Sequence, residues 1–254
     1  MKRLSIIAAL AAATIFSGCK VSDGQKFTPT DLGYHLAISS LTVVAGTLDE
    51  FYTMKALDLY ISADEAEREV IHDAYFYSQR IVERGAGQWQ IIKTENDNIT
   101  VFTGEKSLSE AGAKWDFRKS QQYYGDNISS TIENITDNGT EQYAVHSVYE
   151  NGYSGNTAYS TNLTFTIEPQ GTRNTFIYIE GGGVHHYSYA GDYSYTVLSP
   201  LRFDDGTMNF DEGRLSAAIT IDGTVSSPEA EISKTYITVW GGKDNAYTKT
   251  YTLY

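Results

Sequence analysis

The chain has one cysteine, four prolines, three methionines and three tryptophans in 254 residues. The single cysteine, Cys19, excludes an internal disulfide and any cysteine metal cluster. So few prolines exclude a Pro-rich linker or stalk. Positive charge is scarce too: 19 Lys and Arg stand against 32 Asp and Glu, a net charge of −13. That balance opposes binding to nucleic acid or to anionic lipid surfaces. The longest apolar run, Leu4 to Phe16, is broken only by Ser5 and Thr14 and is too short to span a bilayer as a helix. What the chain has in excess is tyrosine, 20 residues against 10 Phe. Tyrosine joins an apolar ring to a polar tip, which suits half-exposed strands and binding faces alike.

The first twenty residues form a pattern of their own. Lys2 and Arg3 precede the apolar run, and Phe16-Ser17-Gly18-Cys19 closes it with small residues before the cysteine. This is the layout of a secretory leader. Its ending resembles the bacterial lipobox, usually Leu-(Ala/Ser)-(Gly/Ala)-Cys, with Phe16 in place of Leu as is common in the Bacteroidota. The resemblance implies a diacylglycerol on the Cys19 thiol, cleavage before Cys19 and often acylation of the new amine. Acyl chains contribute about 0.8 kcal/mol per buried CH₂, so several together anchor stably. Lys20, not Asp, follows the cysteine, which implies the outer membrane over the inner one. Lys20-Val21-Ser22-Asp23 faintly matches acidic surface-export signals, which tips the expectation towards the cell surface over the periplasmic face.

Residues 1–18 are therefore read as signal peptide, 19–29 as lipidated tether, 30–73 as a helical segment and 74–254 as a β region forming one domain with it. Leu41, Val44, Leu48, Phe51 and Met54 recur at three- and four-residue steps. Gly46 followed by Thr47-Leu48-Asp49-Glu50 reads as a helix stop and a capping box, predicting two helices over 31–45 and 48–60. Ser62-Ala63-Asp64-Glu65 reads as another box, opening a third helix to His72.

From Tyr75 the period becomes alternating. Leu163, Phe165 and Ile167 oppose Asn162, Thr164 and Thr166, and Leu215, Ala217, Ile219 and Ile221 repeat the design. Such strands bury one face, which predicts antiparallel sheet. Asn138-Gly139, Asn151-Gly152, Asp205-Gly206 and Asp222-Gly223 supply turns. The polar, Asn-rich stretch 119–140 predicts a long loop or a weak edge strand, and Arg202 to Gly213 predicts a hairpin or two successive turns.

Candidate chemistry is thin. Gly152-Tyr153-Ser154-Gly155-Asn156 lacks the last glycine of a nucleophile elbow and lies between strands. Gly181-Gly182-Gly183 precedes an aromatic strand, not the helix that a phosphate loop needs, and reads as a glycine-hinged loop. His185 and His186, as neighbours on a strand, would point to opposite faces. Asp204, Asp205, Asp211 and Glu212 lack the spacing of an EF-hand. The last strand places Thr248, Thr250 and Thr252 where the closing strand of a membrane barrel wants apolar residues. Tyr187, Tyr189, Tyr193 and Tyr195, with Tyr143 and Tyr149, have the spacing of a ring platform for sugars or of core packing between layers.

The reading is an α+β, mainly β domain, with short N-terminal helices on an antiparallel sandwich or one large curved sheet. The function expected is a non-enzymatic binding or structural component of the envelope, outer-membrane-anchored through lipid on Cys19. The alternatives are a surface glycan-binding module and, third, an envelope hydrolase. Tyr187 and Tyr189 are the candidate ligand contacts, with glycans or other envelope proteins as partners. No catalytic residue, metal ligand, cofactor or nucleic acid is assigned.

Overall fold

The computed structural model describes residues 29–95, 98–109, 112–121, 126–135, 139–151, 157–171, 174–187, 191–221, 224–234, 236–241 and 247–252. Among these residues two helices come first, α1 (Pro29–Ser62) and α2 (Glu65–Tyr75). Fourteen strands follow: β1 (Gln79–Gly85), β2 (Gln88–Glu95), β3 (Asn98–Ser109), β4 (Gly112–Gln121), β5 (Asp126–Asn134), β6 (Glu141–Asn151), β7 (Thr157–Gln170), β8 (Asn174–Tyr187), β9 (Gly191–Asp204), β10 (Asn209–Ile221), β11 (Thr224–Ser226), β12 (Glu229–Ser233), β13 (Tyr236–Gly241) and β14 (Tyr247–Thr252). The molecule is mainly β and antiparallel, with its helices at the N-terminal side.

The helical segment differs from the sequence reading in two ways. Gly46 does not stop the helix: α1 is continuous over 34 residues. Its buried positions explain why. Val43, Val44 and Ala45 follow one another, then Thr47, Leu48, Glu50 and Phe51, so most of the circumference is covered and not a single stripe. A helix enclosed this way is held by packing, which outweighs about 1 kcal/mol of glycine propensity. Thr47 and Glu50 are thus mid-helix residues, not a cap. The second box is displaced as well. Asp64 is the N-cap of α2, its side chain accepting from the Glu67 amide while Glu67 reaches back to the Asp64 amide.

The chain divides into two compact units, Gly46–Asn162 and Leu163–Tyr254, the second also taking α1 residues up to Ala45. In the first unit β1 to β6 follow chain order, each antiparallel to the next. Ile91, Trp115, Phe117, Ile132, Tyr143 and Val145 are buried together with Phe51, Met54 and Leu57 of the helix. Alternate positions such as Asp116, Arg118, Glu133 and His146 are exposed. In the second unit β8, β9 and β10 pair in turn, and β12, β13 and β14 continue the order. There Phe165, Ile177, Ile179, Leu201, Phe203, Leu215, Ile219, Ile232, Ile237 and Val239 are buried with Leu36, Leu41 and Val44.

Three strands depart from expectation. The Asn-rich stretch contains β5, paired along its length with β4 on one side and β6 on the other, so it is interior to its sheet. Alternation predicts this strand over 98–103, but β3 runs on through Gly104 to Ser109. A Cβ on Gly104 would lie 2.8 Å from the Phe117 ring and 3.3 Å from Leu57, so this glycine marks close packing of helix on sheet, not a chain break. Gly181-Gly182-Gly183 is not a loop. It lies inside β8, where the register against β9 shifts between Ile179 and Gly182. A Cβ on Gly182 would meet the Tyr195 carbonyl oxygen at 2.4 Å, so only glycine fits this bulge. The Arg202 to Gly213 stretch is the expected hairpin, β9 and β10 joined through Asp205 to Met208.

Candidate functional site

The most unusual local chemistry in the first unit lies where α1 crosses β5 and β6. Ser130 and Ser147 face each other as a cross-strand pair. Both are buried, on the sheet face that otherwise carries Ile132 and Val145. Their hydroxyls are 2.8 Å apart. Glu50 descends from the helix onto the pair: Ser130 donates to its Oε2 and Ser147 donates to the same oxygen at 2.9 Å. The Glu50 residue is only 7% exposed. Burial pushes its carboxyl up to about 7, against the opposing pull of Ser130, Ser147 and Lys119. A narrow cleft beside it is lined by Thr53, Phe102, Phe117, Lys119 and Ile128.

Proton bookkeeping decides what this ring can do. It has three oxygen–oxygen contacts. With Glu50 ionised, only two hydroxyl protons are present; both point at the carboxylate, and the contact between the serines holds none. With Glu50 neutral there are three protons for three contacts. Glu50 donates to Ser130, Ser130 to Ser147, and Ser147 back to Glu50. Burial favours the neutral acid and outweighs the two serine donors, which favour the carboxylate.

Two further polar ties hold the helix to this sheet. Lys55 reaches Glu141 at 2.5 Å and the Tyr143 hydroxyl at 3.0 Å, and Tyr143 donates to Glu141 at 2.5 Å. One turn on, Lys106 pairs with Asp58. Phe51 meets the Tyr143 ring edge-on, with centroids 4.9 Å apart.

Glu50 was not among the sequence candidates, because a threonine three residues earlier disguised it as a capping glutamate. The available signal was its place on the helix. It lies four residues before Met54 and seven before Leu57, so a carboxyl stands among buried apolar positions and requires buried polar partners.

In the second unit the other candidates are accounted for by packing. His185 is buried, stacked on Tyr193 at 4.4 Å and hydrogen-bonded to its hydroxyl through Nδ1 at 2.9 Å. Burial pushes the imidazole down to about 3, so it stays neutral. Tyr193 and Tyr195 are core residues, and burial raises the Tyr195 phenol. In the first unit Tyr143 is buried as well. These three rings therefore form no solvated platform. In the acidic cluster, Arg202 binds Asp211 through two parallel bonds of 2.8 and 3.0 Å and Glu212 at 2.8 Å. Asp204 accepts from the Gly206 amide, and Asp205 from the Thr175 amide. The acids thus build a turn and an arginine clamp.

The Tyr187 backbone ends β8 opposite Gly191. The Tyr187 ring, Tyr189, Cys19, the His186 ring and the Gly152 to Asn156 turn lie outside the described residues. Among the described residues no three His, Cys, Asp or Glu side chains are grouped to hold a metal. Among them, too, no helix is long and apolar enough to cross a membrane. Comparison with known protein families, curated proteins and solved structures gives no match.

Proposed function

We propose that the chain is an outer-membrane-anchored lipoprotein acting as a non-enzymatic binding or structural component of the cell envelope. The observation that carries this reading is the run Phe16-Ser17-Gly18-Cys19 behind Lys2, Arg3 and a short apolar segment. One feature of the domain supports it. Most exposed positions of the first unit's strands, Asp116, Arg118, Glu133 and His146 among them, carry charged and polar side chains suited to water, not to acyl chains.

Cells expressing the protein and its Cys19→Ala variant, labelled with a fatty-acid analogue and fractionated, test the anchor. Label and membrane retention should vanish together in the variant, and their persistence would overturn the reading. Protease added to intact cells then separates the two faces of the outer membrane: digestion of the domain supports the surface, and survival until lysis supports the periplasm.

A further inference from the structure

We propose that Glu50, Ser130 and Ser147 form a proton-operated latch that fastens α1 to β5 and β6, closed when the carboxyl holds its proton and loosened when it ionises. Three observations meet at this point. The sheet register sets the two serines directly opposite each other, so both hydroxyls reach one carboxyl oxygen. The ring has as many contacts as protons only in the neutral state. The serines occupy positions where the same strands otherwise bury isoleucine and valine, so the sheet gives up apolar packing to receive this one side chain.

Ionisation breaks the match between protons and contacts. It removes a proton from the ring, leaves two serine oxygens at 2.8 Å with no hydrogen between them, and places a charge where water is nearly excluded. The charged groups that act on Glu50 are Asp49 on α1 itself and Lys119 on β4; Lys93 on β2 acts on Asp49. From β5 and β6 the ring partners are the two serines. The Ser130 and Ser147 bonds and Lys119 favour the ionised form and Asp49 opposes it, while burial outweighs them and leaves the carboxyl raised. The carboxyl therefore changes state about two to three pH units above an ordinary glutamate, near neutrality.

The latch makes the helix, and not the strands, the part that answers to pH. Amide hydrogen exchange on the mature protein, corrected for the intrinsic base-catalysed rate, reads it directly. Opening of residues 47–57 should increase on the order of 50- to 100-fold between about pH 5 and about pH 8. Glu50→Gln keeps one donor and one acceptor in the ring without a titrating proton, so its opening should stay level across the same interval. A level profile in the unaltered protein, or a variant that follows it, overturns the latch. A carbon-13 titration of the Glu50 carboxyl in the unaltered protein does not depend on the variant folding. A midpoint near 7 supports the proposal, and one near 4.5, the ordinary value for glutamate, overturns it.

Discussion

Glu50 couples a single proton to the stability of the first unit, and the sign of that coupling follows from its environment. Its folded value, about 7, lies above the ordinary 4.5. The stabilisation is therefore complete below about 4.5 and is lost as pH rises through 7. The difference corresponds to about 3 kcal/mol, at 1.36 kcal/mol per unit. Urea midpoints should accordingly fall with rising pH in this window relative to Glu50→Gln, and parallel curves for the two proteins would contradict the assignment. One position along the helix, Phe51 is 2% exposed against the edge of Tyr143, whereas Asp49 is exposed. Phe51→Ala should cost about 3–5 kcal/mol in a denaturant series, and Asp49→Ala should fall within about 0.5 kcal/mol of zero. Comparable losses at both positions would mean that the helix does not dock through Phe51.

At the scale of elements, Gly46 separates two accounts of the N-terminal segment. As a helix stop it would need its freedom from a side chain. Inside a continuous helix, a methyl group there meets nothing nearer than the Tyr159 hydroxyl at 3.9 Å. Gly46→Ala is thus expected to stabilise the protein by about 0.5–1 kcal/mol through helix propensity. A loss of stability in thermal or urea unfolding would argue for a break at this point. Gly182 behaves oppositely: its Cβ would sit 2.4 Å from a carbonyl oxygen, so Gly182→Ala should destabilise clearly.

These two glycines show how far the chain could be read in advance. Alternation at Leu163 to Ile167 and at Leu215 to Ile219 made the antiparallel sheets legible, because burying one face leaves a period of two in the residues themselves. β5 escaped because its middle inward residue is Ser130 and not an aliphatic one, and Ser130 is explained only by Glu50, 80 residues away. Glycine punctuation misled for the same reason at Gly46, Gly104 and Gly182. Each looks locally like a break, and each is set by packing whose partner lies elsewhere in the chain.

At the scale of the whole molecule, the strands of both units pair mostly with their neighbours in sequence, so hairpins close locally and few long loops must be ordered before contacts form. In the second unit one contact joins opposite ends of the chain. Tyr34, in the first turns of α1, stacks on Tyr251 of the last strand at 4.0 Å, and Lys249 covers the same ring at 4.9 Å. Under the proposed anchor on Cys19, this contact has a consequence for how the last strand is presented. Ten extended residues span at most about 35 Å, so such an anchor would hold Tyr34, and Tyr251 with it, near the bilayer. A bulky reporter or affinity tag appended after Tyr254 would then be crowded against the bilayer. Detergent extraction should accordingly raise antibody access to a C-terminal tag in the unaltered protein and leave access in the Cys19→Ala variant unchanged.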